Sequence, residues 1–197
     1  MPTRSPWKIQ YAAMWTLAQK YLEQGLNKNF VVHTEGVVHA MELLLKKEKG
    51  DPDILIPAAI LHDTGWAKVP AQYQRTTDKK KKLRGMQLHI ALAPAIIKTI
   101  LHSLKYPAKT IEEIVGIVQA HKFANPRLLS RRLLIDADQL SDAFREQFTT
   151  DAKEYGVTPE QMYGFRMRDN RFYTETAKNI FRKEMQERKR EIVRENL

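Results

Sequence analysis

The stretch AAILHDTGW, residues 58–66, sets His62 and Asp63 side by side at the end of an otherwise apolar run. Burying an imidazole next to a carboxylate is costly unless something binds them. At a helix end, two adjacent side chains can turn towards one point and offer a nitrogen and an oxygen to the same ion. The dipeptide alone is better explained by an aspartate capping the next turn and a hydrogen-bonded core histidine. It is not alone. His33 in VVHTEGVVHAMELL has apolar residues three, four and seven positions on, which places it on the buried stripe of a helix. Asp138 in RLLIDADQLSDAF is an acid in an apolar helix, with Asp136 two residues before it as a competitor for the same role. His89 in MQLHIALAP and His121 in IVQAHKF repeat the pattern. Five separate elements thus each deliver a metal-ligand type to an apolar setting. There is no cysteine, so disulfides and thiolate ligands are excluded, and any metal site must use histidine, carboxylate and water. His39 lies off the face of His33, and His102 sits late in its helix where a histidine suits the dipole, so neither is a candidate ligand.

The elements that must position these residues read as helix after helix. Ser5 and Pro6 start a helix over about residues 6–24 that Gly25 ends, and a second runs from about Phe30 to Lys49. Asp51 and Pro52 start a third, which carries the His-Asp pair and ends near Gly65. From Trp66 to Gly85 the apolar pattern disappears, and this is read as the longest loop. A helix over about 86–104 contains Pro94, which should kink it, and Thr110 with Glu113 has capping-box spacing for a helix to about His121. Another covers roughly 130–155 and stops at Gly156. Thr158, Pro159 and Gln161 cap a short one, and the last runs from about Phe172 to the end, its mixed charges marking a solvated face. No strand alternation or internal repeat interrupts this all-α reading.

A length of 197 residues with 43% hydrophobic and 28% charged side chains suits one globular domain over 1–197, its core at about 28–150 and its C-terminal helices at about 158–195 packing on it. No apolar run approaches the roughly 20 residues that span a bilayer, and the charged start does not suit a signal peptide, so no membrane role and a cytoplasmic location are expected. The net charge is +10, and the segment RTTDKKKKLR at 75–84, with six basic residues and one acid, carries half of it. That segment is either a solubilising turn or a cationic clamp for phosphate. Lys68, five residues past Asp63, Lys122, beside His121, and Arg84, at the end of the basic run, could bind the same group, with Lys68 ranked first for proximity.

The order His33, His62-Asp63, Asp138, each in its helical setting, resembles the HD-domain superfamily of metal-dependent phosphohydrolases, named for the adjacent pair. The resemblance runs through AAILHDTGW, GIVQAHK and LLIDADQLSD, extends to RFYTETAKNIF, and covers roughly residues 28–185. It implies an all-helical HD-like bundle in which His33, His62, Asp63 and Asp138 bind one divalent cation, the acid-residue-leucine pattern assigning the last place to Asp138. Two nitrogens and two carboxylates suit Mn, Fe, Co, Ni or Zn better than Ca. In some branches extra histidines bind a second ion, and His89 and His121 occupy such positions, with Asp63 then bridging both. Phosphodiesterases for cyclic dinucleotides carry two consecutive histidines where this chain has His121-Lys122, and their Gly-Tyr-Pro signature is absent. The implied function is hydrolysis of a phosphate ester, a nucleotide or another small phosphorylated metabolite, with Asp63 and Lys68 catalytic and Lys68, Lys122 and Arg84 on the substrate. The alternatives are an HD-type dinuclear iron oxygenase and a non-catalytic nucleotide- or RNA-binding module. Nucleic acid is not the favoured partner, and oligomeric state is not legible.

Overall fold

The computed structural model describes residues 6–26 and 29–195. The Ser5 cap lies outside them. Among the described residues the regular structure is entirely helical: α1 (Pro6–Gln10), α2 (Ala12–Leu22), α3 (Phe30–Leu45), α4 (Pro52–Leu61), α5 (Ala71–Gln74), α6 (Lys79–Ser103), α7 (Ala108–Gln119), α8 (Leu129–Ser141), α9 (Arg145–Tyr155), α10 (Pro159–Asp169) and α11 (Glu175–Glu195). A single 3-10 segment, Thr64–Lys68, follows α4.

Helix α4 is the axis. The Asp51 side chain accepts the N–H of Asp53, Pro52 takes the first helical position, and every residue from Ile54 to Leu61 is buried. A helix apolar on all sides needs neighbours all round. It packs on α2, α3, α7 and α8; α3 also packs on α8, and α6 covers α7 and the 3-10 segment. His62 caps the C-terminus of this axis, so the His-Asp pair emerges where the surrounding helices converge.

Several boundaries differ from the sequence reading, each for a local reason. The first helix breaks at Tyr11, which leaves helical geometry and donates its hydroxyl to Asp53 at the start of α4. The α7 helix begins at Ala108 because Pro107 fixes an extended conformation just before it, leaving Thr110 inside the first turn with no capping role. The 130–155 segment is two helices, parted where Asp142 is held by Arg166 at 3.0 Å and Asn170 at 3.2 Å. The α11 helix begins at Glu175 because Thr174 Oγ1 accepts the N–H of Ala177. Gly156 closes α9 in the left-handed conformation, and the Thr158–Gln161 capping box is formed.

The largest correction concerns 66–85. This segment is not a long loop: it holds the 3-10 segment, α5 and the start of α6, so Lys79 to Lys82 form a helical turn. Asp78 caps that turn by accepting the N–H of Lys81, and lysine, leucine and arginine are all strong helix formers. The polar pattern reported exposure, which the first turns of α6 have, rather than lack of structure. The α6 helix continues through Pro94 to Ser103.

Candidate metal centre

Five elements bring six side chains to one place. His33 comes from the first turn of α3, His62 and Asp63 from the end of α4, His89 from the middle of α6, His121 from just beyond α7, and Asp138 from α8. They form two groups of three donors, His33–His62–Asp138 and Asp63–His89–His121. In the first, His33 Nε2 lies 3.1 Å from Asp138 Oδ1 and 3.4 Å from His62 Nε2. In the second, His89 Nε2 lies 3.4 Å from His121 Nε2 and 3.5 Å from Asp63 Oδ1. Asp63 joins them: while its Oδ1 faces His89 and His121, its Oδ2 is 3.4 Å from His62 Nε2 and 3.7 Å from His33 Nε2.

These spacings fit shared cations. Donors about 2.1 Å from one ion at tetrahedral angles stand about 3.4 Å apart. The ring orientations fit as well. His62 Nδ1 donates to the carbonyl of Ala59 at 2.8 Å, and His121 Nδ1 to that of Val118 at 2.5 Å. Ser141 spends its own hydroxyl proton on the Asp138 carbonyl, so its oxygen accepts from His33 Nδ1 at 3.2 Å. All three rings therefore commit Nδ1 outwards and turn Nε2 inwards, the arrangement that outer partners impose on metal-binding histidines. His89 is fixed differently, by parallel stacking on Trp66 with centroids 4.5 Å apart.

The charges explain why the cluster is compact. Burial opposes ionisation of Asp63, yet the surrounding imidazoles, His62 first, hold its carboxyl well below the usual carboxylate range. Asp138 is held low in the same way, against burial, by Lys122 and then His33. Burial works against the charge on His33, and Asp138 more than reverses it, lifting its pKa to about 9. His89, dominated by burial, is pushed down to about 3 and stays neutral, ready to donate a lone pair.

Glycine sets the spacing between the pair and α6. A Cβ on Gly65 would stand 2.0 Å from the carbonyl oxygen of His89 and 3.0 Å from the nitrogen of Ala93, so the 3-10 segment touches the α6 backbone directly. In the sequence, Gly65 reads only as a helix stop. Gly85 does the same for α5, with Tyr73 O 2.3 Å from where its Cβ would be.

The two aspartates of α8 separate cleanly. Asp138 lies in the donor cluster, whereas the Asp136 carboxylate accepts the N–H groups of Tyr173 and Thr174 and the Thr174 hydroxyl at 2.7–2.8 Å, and so anchors the start of α11. Asp136→Ala, which orphans three donors, is expected to cost about 3 kcal/mol in a denaturant titration while the protein keeps its metal. Asp138→Ala should show the opposite pattern by elemental analysis, and equal metal loss in both would reject the division of roles.

The cluster borders a cavity of about 860 Å³ into which His33, Asp63, Trp66 and Lys122 project. Lys122 belongs to the centre: its Nζ donates to Asp138 Oδ2, on the side of that carboxylate away from the histidines. Lys68 and Arg84 do not. Neither lines the cavity. Lys68 closes the 3-10 segment that follows the pair, and its nearness in sequence does not bring it into the cavity lining. Cavity residues that the sequence reading did not single out include Tyr73, Arg75, Lys82, Gln147 and Arg166. Only Arg75 and Lys82 carried a signal, as members of the basic run.

Comparison with protein families matches residues 30–143 to the HD domain, and all six clustered side chains fall within that span. The chain belongs to the HD domain family. Searches of curated proteins and of solved structures gave no match. HD domains bind divalent metals, and the donor set of this HD domain suits that use in type, number and spacing. The matched span ends just after α8, so α9 to α11 lie outside it. No helix among the described residues is long and apolar enough to cross a membrane.

Proposed function

We propose that this HD domain is a metal-dependent phosphohydrolase that releases phosphate from a small phosphorylated metabolite, a nucleotide or a related ester. The observation that supports this reading is the Asp63 carboxylate, set with one oxygen toward each three-donor group at the edge of an open cavity. His33, His62 and Asp138 would hold one divalent cation, and His89 and His121 a second, with Asp63 between them. A cation bound there supplies Lewis-acid polarisation of a phosphoryl oxygen and a lowered pKa for bound water.

The remaining work falls to the chain. Lys122 fixes the outer oxygen of Asp138 and presents its ammonium to the same cavity, where it can also meet a phosphoryl oxygen. The stacked Phe30 and Trp66 rings, 5.6 Å apart, form an apolar part of the wall that limits water beside the reacting phosphate. No side-chain nucleophile is needed, so a single displacement by water completes the reaction.

A phosphate-release screen over nucleotides and sugar phosphates, run with Mn, Fe, Co, Ni and Zn in turn, tests the reading. Release that requires one of these metals and proceeds without O₂ is expected. Turnover that consumes O₂ in place of phosphate release would make the protein an oxygenase built on the same ligands. Tight nucleotide binding without metal or turnover would make it a binding module.

A further inference from the structure

Resting on the phosphohydrolase reading, we propose that Arg75 and Lys82 form a second anion subsite, so that the preferred substrate is a small molecule carrying a second phosphate beyond the scissile one. The α6 helix supplies the ruler. Lys82, Met86 and His89 follow one another at spacings of four and three and therefore share one face. Lys82 and Met86 line the cavity, and His89 is in the donor cluster. Seven residues of helix rise about 10 Å, so Lys82 stands that far along the cavity wall from the cluster. Arg75, in the turn before α6, lines the same cavity.

Among the described residues, the four lysine and arginine side chains that line the cavity are not equivalent. Lys122 is committed to Asp138, and Arg166 to Asp142 and Asp151. Arg75 and Lys82 have no ion pair or hydrogen bond to any described side chain, so they face the cavity with uncompensated charge. Apart from Asp63 in the donor cluster, the lining acids sort the other way: Asp142, Asp151 and Glu154 lie on the side formed by the end of α8 and α9, where Arg166 is the one cationic lining residue among the described residues. An anion entering the cavity is repelled from that side and drawn to the α5–α6 side. The volume leaves room for both phosphates and the group between them, being in the range that buries a ligand of nucleotide size. All of these basic side chains are exposed, but Lys79 to Lys81 do not line the cavity, so the selection falls to Arg75 and Lys82 rather than to the run as a whole.

The test uses metal-loaded protein and non-hydrolysable probes: alkane bisphosphonates of graded length and the matching alkyl monophosphonates, with affinities read by calorimetry. The expected result is a preference of about tenfold for a bisphosphonate over its monophosphonate, greatest when the two phosphorus atoms can stand about 10 Å apart. The preference should vanish in Arg75→Ala/Lys82→Ala and persist in Lys80→Ala/Lys81→Ala, which removes the same charge from outside the cavity. Equal affinity for both probes in the unaltered protein, or equal loss in the two double variants, would overturn the subsite. Because binding is measured without turnover, discrimination between probes in a protein that releases no phosphate from any ester would uphold the subsite and reject the hydrolase reading.

Discussion

Replacing His62 and Asp63 together by alanine is expected to remove the bound metal and to lower phosphate release by about 10³-fold or more, equivalent to about 4 kcal/mol of transition-state stabilisation. Asp63 belongs to the second three-donor group through Oδ1 and turns Oδ2 to the first, of which His62 is a member. The fold should survive, because the apolar run from Ile54 to Leu61 that α4 buries is untouched. Circular dichroism would show the retained helices and elemental analysis the missing metal. Full metal occupancy in the double variant would reject the assignment of the centre.

Gly65→Ala is expected to be nearly as damaging from outside the ligand set. With a Cβ 2.0 Å from the His89 carbonyl oxygen, the 3-10 segment and α6 must part by about 1 Å, since non-bonded carbon and oxygen do not approach closer than about 3 Å. Overpacking of backbone against backbone has no flexible side chain to absorb it, so a loss of about 3 kcal/mol in stability is expected. Moving α6 also draws His89 away from Asp63 and His121, which should weaken metal binding by 10- to 100-fold, the order seen when support around a metal ligand is lost. Denaturant titration and metal titration would each report one part. An alanine variant with unchanged metal affinity would show that the contact does not govern the position of His89.

The candidate metal donors stand out in the sequence because each pairs a costly residue type with an apolar setting, a conflict that a shared ion would resolve. His33, His62, His89, His121 and Asp138 stood out from their own neighbours in this way. The choice between Asp136 and Asp138 did not: both are acids in the same apolar helix, and only the approach of Tyr173 and Thr174 from far along the chain explains Asp136. Lys122 and Lys68 show the same limit, since sequence distance to the pair carries no information about which side chain the fold returns to the cluster. The basic segment failed for another reason. Hydrophobic periodicity detects helices by their buried stripe, and the first turns of α6 have little to bury, so Lys79 to Lys82 looked like a loop while Asp78 was capping them as a helix. Gly65 is invisible to periodicity altogether, because what it provides is the absence of a side chain at a crossing of two backbones.

The proposed reaction has this centre direct water onto a phosphorus atom. Turnover of the best ester from the metal screen in heavy-oxygen water, with the released phosphate and alcohol analysed by mass spectrometry, tests it most directly. One solvent oxygen is expected in each phosphate and none in the alcohol, because the bond that breaks is the one between phosphorus and the ester oxygen. Solvent oxygen found in the alcohol instead, or oxygen from O₂ in either product, would contradict it.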